Sequence, residues 1–449
     1  MEREIFGHWR WVGSDETDEY AGVLRATAKG SLELEILDGL PAPSDKMDLI
    51  IGRDRDNHPL SLSGLIYTER WGVVKTVFAQ QMLKGIELKS VDEPIFNRIV
   101  LRFHNLLAVR NASNWAQDAT QGETGFDYKI HKAEDPPTLC ASTPIGKLEL
   151  GVGWGTNSSH ERGEYSVTDS ACFLVELPAV GSLESCIDPW FRPLMDLTSF
   201  LAQCACAPIE VSVTGPDLQH HGHPDWIEVH RRWTNINESE SIHWHEALAS
   251  FSDADGEFER VICAWLQLHE TADRSLAGYF ANEWDRVTFM ENRFLTAAMA
   301  AEGVHRRLHG DTEPARERVE AVTQILDSAT HEIREWLEPR FAHIHATSFR
   351  KRVRDLTKLA KPLIGKELIG EDFVSRVYDT RNALVHDDEE NAAKVPPGGA
   401  MRVLADTLQA VMTLNIAAEI GLDLDQCRER MWRKLDWIRS SQHLLKEPD

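Results

Sequence analysis

A chain of 449 residues exceeds one ordinary core, so two or three domains are expected. With 42% apolar residues and 14 tryptophans it can bury a substantial interior, which excludes wholesale disorder. A formal net charge of −24 at pH 7 excludes a protein that coats nucleic acid indiscriminately, although a basic stripe can override that field within a Debye length of about 8 Å.

The start, MEREIFGHWRW, is charged and lacks the apolar stretch of a secretory signal. No run of about 18 uncharged apolar residues occurs, so neither a membrane span nor a membrane partner is expected. Seven scattered cysteines give no disulfide framework, and a reducing cytoplasm is the expected setting.

Along the chain, the first half alternates in period two. In GSLELEILDG, Leu32, Leu34 and Ile36 oppose Glu33 and Glu35, which predicts a half-buried strand ended by Asp-Gly. RIVLRFHNL places Ile99, Leu101 and Phe103 on one face. KLELGVGWG, ACFLVELPA, IEVSVTGPD and DWIEVHRRW continue the pattern with turn residues between them. PWFRPLMDLTSFLAQ is expected to interrupt the strands as a helix. Trp9, Trp11, Trp71 and Trp115 fall among the strands and are read as core rather than as platforms for stacked bases.

From about residue 255 the period becomes helical, in FERVICAWLQLHETA, ENRFLTAAMAAEGVHRRL, ARERVEAVTQILDSATHEIREWL, FRKRVRDLTKLAKPLI and MRVLADTLQAVMTLNIAAEIG. The polar seam SDADGE is the expected boundary, and NAAKVPPGGA is a loop. The expected fold class is α+β and multidomain, with a β-rich N-terminal half of sandwich or barrel material and an all-α helical bundle behind it. The expected bounds are 1–150 for a first β-rich domain, 151–252 for a second β-rich or mixed region, and 253–449 for the helical domain.

The stretch YDTRNALVHDDEE holds Arg381 five positions before His386, with Asn382 between them. One reading is an ordinary helix end whose cations favour the helix dipole. The other is catalytic. Metal-free RNA cleavage needs a base for the 2′-hydroxyl, an acid for the leaving 5′-oxygen, and a group that stabilises charge on the phosphate. Histidine suits the proton transfers, and the planar fork of arginine suits the phosphate. Asn382 lies one turn before His386 on the same face, whereas Arg381 lies about 140° around the helix from it. One isolated helix does not aim both at one point; a groove between two such helices could.

TRNALVH resembles the R-x4-6-H signature of HEPN ribonucleases, in the form with Asn after Arg. ENRFLTAAMAAEGVHRRL, FRKRVRDLTKLAKPL and NIAAEIGL resemble the helices of the HEPN domain of ApeA-like antiphage proteins. GHWRWVGSDETDEYAGVLRATAKGSLELEILDG is similar to that family's N-terminal domain. The resemblance implies a metal-independent RNA endonuclease without a cofactor, acting as a homodimer or larger assembly whose motifs line one cleft, and leaving a 2′,3′-cyclic phosphate. It implies RNA as partner, transfer RNA among the candidates, and a phage-derived trigger. It assigns Arg381 and His386 as the catalytic pair and Asn382 as a supporting polar residue. Asp379 and Glu302 are candidates to orient a base or hold Arg381, or else structural ion-pair partners.

Positive charge concentrates in SFRKRVRDLTKLAKPLIGK, where Arg350, Lys351, Arg352, Arg354, Lys358 and Lys361 face one acid, Asp355. These either track phosphate or form a solvated helix face. Cys204 and Cys206 with His220, His221, His223 and Asp225, or His243 and His245, raise the question of a metal. The C-x-C spacing is shorter than usual zinc spacing, so buried thiols and a polar histidine loop are the expectation, with no metal. The acids Asp387, Asp388, Glu389 and Glu390 beside His386 would repel phosphate if held close, and with the following Pro-Gly loop form a candidate gate under control of the N-terminal half. The rival class is a non-catalytic dimeric binding or sensor protein whose helical domain only dimerises or binds nucleic acid.

Overall fold

The computed structural model describes residues 3–15, 17–27, 30–42, 48–121, 126–159, 164–232, 240–251, 257–284, 289–310, 316–341, 347–386 and 395–445. Of the polar seam expected as a boundary, residues 252–256 lie outside the described residues, and Glu257 begins the next helix. By contacts the chain forms two compact units, Met1–Cys263 and Ala264–Asp449. No helix among the described residues is long and apolar enough to cross a membrane.

In the first unit, β1 (Arg3–Trp11), β2 (Tyr20–Ala26), β3 (Leu32–Pro41), β4 (Leu49–Asp54), β5 (Pro59–Ser63), β6 (Ile66–Arg70), β7 (Val73–Ala79) and β8 (Gln81–Lys84) come first. There follow β9 (Phe96–Phe103), α1 (Leu106–Arg110), β10 (Trp115–Gln121), β11 (Phe126–Lys132), β12 (Leu139–Thr143), β13 (Gly146–Ser159) and β14 (Glu164–Gly181). After helix α2 (Leu183–Ala202) come β15 (Pro208–Thr214), the two-residue strands β16 (Gln219–His220) and β17 (His223–Pro224), and β18 (Ile227–Arg231). Fourteen of these strands form one antiparallel sheet in the order β12-β13-β14-β9-β15-β18-β8-β5-β4-β1-β2-β3-β7-β6.

The period-two pattern of β3 does what it implied: Leu32, Leu34 and Ile36 are buried and Glu35 is exposed. Each such burial contributes about 1.5–3 kcal/mol relative to an exposed side chain. They join Trp9, Trp11, Leu24, Ile50, Leu60 and Val77 in one core. Trp9 pairs in register with Gly52 on β4, and a Cβ there would sit 2.5 Å from the indole, so only glycine lets the ring lie across that strand. Ile99, Leu101 and Phe103 of β9 are buried as expected, and α2 packs on β9 and β14 with Trp190, Leu194, Leu197 and Phe200 fully covered. Trp71 overturns its core assignment. It is 100% exposed at the turn between β6 and β7, where it and Gly72 both adopt positive φ, 57° and 72°. A two-residue hairpin turn needs that geometry and points its side chain to water.

The second unit is helical, so the fold is α+β, β-rich over residues 3–231 and all-α behind, as expected from the sequence. It holds most of α3 (Glu257–Trp284), then α4 (Met290–His309), α5 (Arg316–Ser328), α6 (His331–Phe341), α7 (Phe349–Ile364), α8 (Phe373–His386) and α9 (Gly398–Glu419). Two short helices, Leu424–Arg430 and Trp432–Ser440, follow. Helix α9 is buried almost throughout, which makes it the central element. Most of its interior polar groups find partners, while Gln409 Oε1 has none among the described residues. Asp406 accepts from Arg293 Nη2 at 2.8 Å, Thr413 bonds the Tyr279 hydroxyl at 2.8 Å, and Asn415 Nδ2 donates to the Leu356 carbonyl at 3.0 Å. Helix α4 packs on α9, and α4, α7 and α8 pack on one another.

Candidate active site and its basic groove

Helix α7 starts at Ser348, whose hydroxyl caps it by accepting from the Lys351 N–H at 3.4 Å. Helix α8 buries Phe373, Val377, Thr380 and Ala383, one stripe at helical spacing. That stripe leaves Ser375, Tyr378 and Arg381 turned toward the first turn of α7. Arg350 Nη2 donates to Ser375 Oγ at 2.5 Å, and its guanidinium stands 5.4 Å from the centre of the Tyr378 ring. The Arg381 guanidinium lies 5.6 Å from the centre of the Phe349 ring, and its Nη1 donates to Asn382 Oδ1 at 3.1 Å.

Arg381 is therefore oriented on two sides, by an aromatic face and by a neighbouring amide. His386 is exposed at the last position of α8 and makes no hydrogen bond among the described residues. No hydrogen bond joins Arg381 to His386. Both stand on one helix, about 7.5 Å apart along its axis. Asp387 to Glu390 and residues 391–394 lie outside the described residues; of the Pro-Gly stretch of the candidate gate, Val395, Pro396 and Pro397 lead into α9, and Gly398 to Ala400 form its first turn instead of a loop.

Glu302 pairs with Arg306 Nη2 of its own helix at 3.1 Å rather than with Arg381. Asp379 is half-buried and has no ion pair among the described residues.

Arg352 departs from the sequence reading, which grouped it with phosphate-tracking cations. It is 0% exposed, because it falls beside Val353 and Leu356 on the face that α7 turns inward. Its Nε donates to the Thr347 carbonyl at 3.0 Å, and its Nη1 donates to Nδ1 of His305 on α4 at 3.2 Å. His305 is 2% exposed, and its Nε2 lies 3.5 Å from the Asp355 carboxylate, which Lys358 holds at 2.6 Å. Burial, and then the charges of His309 and Arg352, hold the His305 pKa below its ordinary value against the pull of Asp355. Burial alone would raise the Asp355 pKa, but Lys358 and His305 outweigh it and lower it. The linked row Arg352–His305–Asp355–Lys358 runs from the interior to the surface, and the sequence reading had not joined these residues.

Lys358 opens onto a groove of about 600 Å³ between the second half of α7 and the chain leading into α8. Arg354, Lys358, Lys361 and Lys366 line it together with Glu371. Gly365 ends α7 with φ 100°, its N–H bonded to the Lys361 carbonyl at 3.1 Å, and turns the chain so that Lys366 joins the wall. At the other end of the basic stretch, Arg350 and Lys351 face solvent outside the groove.

Cys204 and Cys206 are buried and receive the Asn105 amide at 3.3 and 3.6 Å. The neighbouring Cys204 thiol and burial hold Cys206 well above the usual thiol pKa, which disfavours a metal-binding thiolate. His220 and His223 sit exposed on β16 and β17, and His243 and His245 face each other at 2.6 Å between Nδ1 atoms. Among the described residues the cysteines and these histidines join no group of three metal-capable side chains. Such a group is formed by Asp54, Asp56 and His58, which the sequence reading missed. Asp54 Oδ1 there already accepts from the backbone N–H groups of Asp56 and His58, at 3.0 and 2.8 Å.

Comparison with known families places the two parts of the chain. The family described as ApeA N-terminal domain 1 matches residues 4–265, and the family described as Apea-like HEPN matches residues 295–426. The second span runs from α4 through α9 and contains Arg381, Asn382 and His386. No curated protein and no solved structure matches the chain.

Proposed function

This chain belongs to the ApeA family, with an ApeA N-terminal domain and a C-terminal ApeA-like HEPN domain, and from that premise we propose that it is an RNA endonuclease of antiphage defence. The observation that carries the reading is the presence on one helix of an exposed His386 and of a guanidinium, Arg381, that Phe349 and Asn382 orient.

In this reading the 2′-hydroxyl of the RNA loses its proton to a base and attacks the adjacent phosphorus. The 5′-oxygen leaves with a proton from an acid, so a 2′,3′-cyclic phosphate and a 5′-hydroxyl result. His386 carries one of the proton transfers. Arg381 binds the phosphoryl oxygens, whose charge grows in the transition state, through its planar fork. Because Arg381 and His386 point about 140° apart on one helix, a second copy of α8 across a two-fold axis completes the set. RNA is the substrate class, with transfer RNA favoured by the family resemblance. A phage-derived trigger acts through the β-rich half, and the setting is the cytoplasm.

The test is the purified full chain on total RNA in EDTA, followed by end-group analysis of the fragments. The reading expects cleavage with cyclic-phosphate ends that vanishes in His386→Ala. Metal-dependent cleavage with 3′-hydroxyl ends overturns it. Binding without cleavage, with or without phage lysate as activator, points instead to a non-catalytic binding protein.

A further inference from the structure

We infer that the groove between α7 and the start of α8 is a backbone-binding subsite for single-stranded RNA, remote from the reacting phosphate, so that the enzyme acts on strands several nucleotides long rather than on dinucleotides. The inference rests on the nuclease reading above and adds to it which substrates that site accepts.

Four cations, Arg354, Lys358, Lys361 and Lys366, converge on the groove, against one lining acid, Glu371. Lys358 is held by Asp355, but Arg354, Lys361 and Lys366 have no ion pair among the described residues. In a chain of net charge −24, three cations left without acids in one concavity are what local charge balance would not produce. They leave the groove ready to accept the charge of a ligand. The arrangement and sign suit a run of phosphates, because Arg354, Lys358 and Lys361 follow one another along one face of α7, over seven residues or about 10 Å.

The position of the groove sets the length of strand it serves. Ser375 lines the groove and also receives Arg350, so the groove and the first turn of α7 share a border. From Ser375 the helix rises for eleven residues to His386, about 16 Å at 1.5 Å per residue. A stacked strand rises about 3.4 Å per nucleotide, so this separation is on the order of five nucleotides, and fewer if the strand is extended. Arg350, exposed between the two places, lies on the line that such a strand would follow. The aromatic faces of Tyr378 and Phe349 carry Arg350 and Arg381 there, so the path is marked by cations and not by stacking platforms. Recognition by this track is therefore tolerant of base sequence and sensitive to salt.

The experiment uses the full chain with His386→Ala, which separates binding from cleavage, and a fluorescein-labelled oligouridylate 12-mer read by anisotropy across a salt series. Its variant adds Arg354→Ala, Lys361→Ala and Lys366→Ala, exposed or half-exposed positions whose folding is checked by thermal melting. The groove reading expects at least a tenfold weaker Kd in the variant, with a shallower salt dependence, by about 0.7 in the log–log slope for each phosphate no longer neutralised. Equal affinity and equal slope in the two proteins overturn it, as does a parent protein that does not bind the 12-mer. With His386 restored, kcat/KM for the 12-mer should exceed that for a dinucleotide by tenfold or more, and the three substitutions should erase that preference. A preference that survives them also overturns the groove. Groove-dependent binding with no cleavage of either RNA, with or without phage lysate as activator, supports the RNA track and sinks the nuclease reading, so the two failures are distinguishable.

Discussion

Arg352 Nη1 stands 3.2 Å from Nδ1 of His305 in the interior of the helical unit, and that contact selects one state of the histidine. A guanidinium has only donors, so Nδ1 accepts and the ring proton sits on Nε2, toward the Asp355 carboxylate 3.5 Å away. The ring is neutral when folded, in keeping with its lowered pKa.

That lowered pKa makes the stability of the helical unit depend on pH. Unfolded, His305 titrates near its ordinary value of 6.5, and folded it titrates below it. Between the two values the unfolded chain binds the extra proton, so the stability is complete above about pH 6.5 and is lost as pH falls toward the folded pKa. Melting of the full chain should therefore weaken as pH falls below about 6.5, and His305→Gln should flatten that part of the curve. Asp355 acts in a lower window. Its folded pKa lies below the ordinary 3.8, so its contribution is present above that value and is lost only as pH falls below it. A His305→Gln protein whose melting still falls as steeply below about pH 6.5 would show that other histidines carry the effect.

Removing the buried cation tests the same row from its other end. Arg352→Met keeps the volume but leaves the Thr347 carbonyl and His305 Nδ1 without their donor, which should cost about 1–3 kcal/mol in denaturant unfolding. It also removes a positive charge from beside the ring, so the His305 pKa, followed by NMR, should rise. Stability unchanged within about 0.5 kcal/mol would mean that the contact is not formed in solution.

How far the sequence foretold these features depends on the residue. The alternation of β3 and the basic stretch of α7 were legible because both are local periodicities, and Leu34 and Lys358 lie where period two and 3.6 put them. Arg352 was not, because a buried guanidinium is decided by a partner 47 residues away, and His305 carries no local mark of that role. Lys366 was not, because it enters the groove only through the turn that Gly365 makes with positive φ. Trp71 was misread because its composition says core while its hairpin position says water. The motif of Arg381 and His386 was visible as spacing, whereas the ring of Phe349 beneath Arg381 needed the packing of α7 on α8.

Phe349 should matter to cleavage without touching RNA. A cation–π contact of this kind contributes about 0.5–1 kcal/mol, which corresponds to roughly a two- to fivefold effect if it holds Arg381 in its working orientation. Phe349→Leu should lower kcat on RNA by about that factor with the melting temperature nearly kept, and Phe349→Tyr should restore it. Equal losses in both variants would show that the position matters through packing and not through the aromatic face.

The strongest expectations fall on Arg381 and His386. His386 is exposed and unbonded among the described residues, and Arg381 is held by a side chain and a ring that do not depend on its charge being neutralised. Truncating either should leave the fold intact. His386→Ala should abolish cleavage, since α8 carries no other histidine to take or give the proton. Arg381→Ala should do the same, and Arg381→Lys should recover little, because an ammonium cannot grip two phosphoryl oxygens at once. Mixing the two alanine variants then asks whether two copies of α8 share one cleft. Heterodimers that regain cleavage would show a composite site, with Arg381 and His386 drawn from different copies. A monomeric chain that cleaves RNA at the same rate per subunit would remove the second copy from the mechanism and require Arg381 and His386 of one helix to reach the phosphate together.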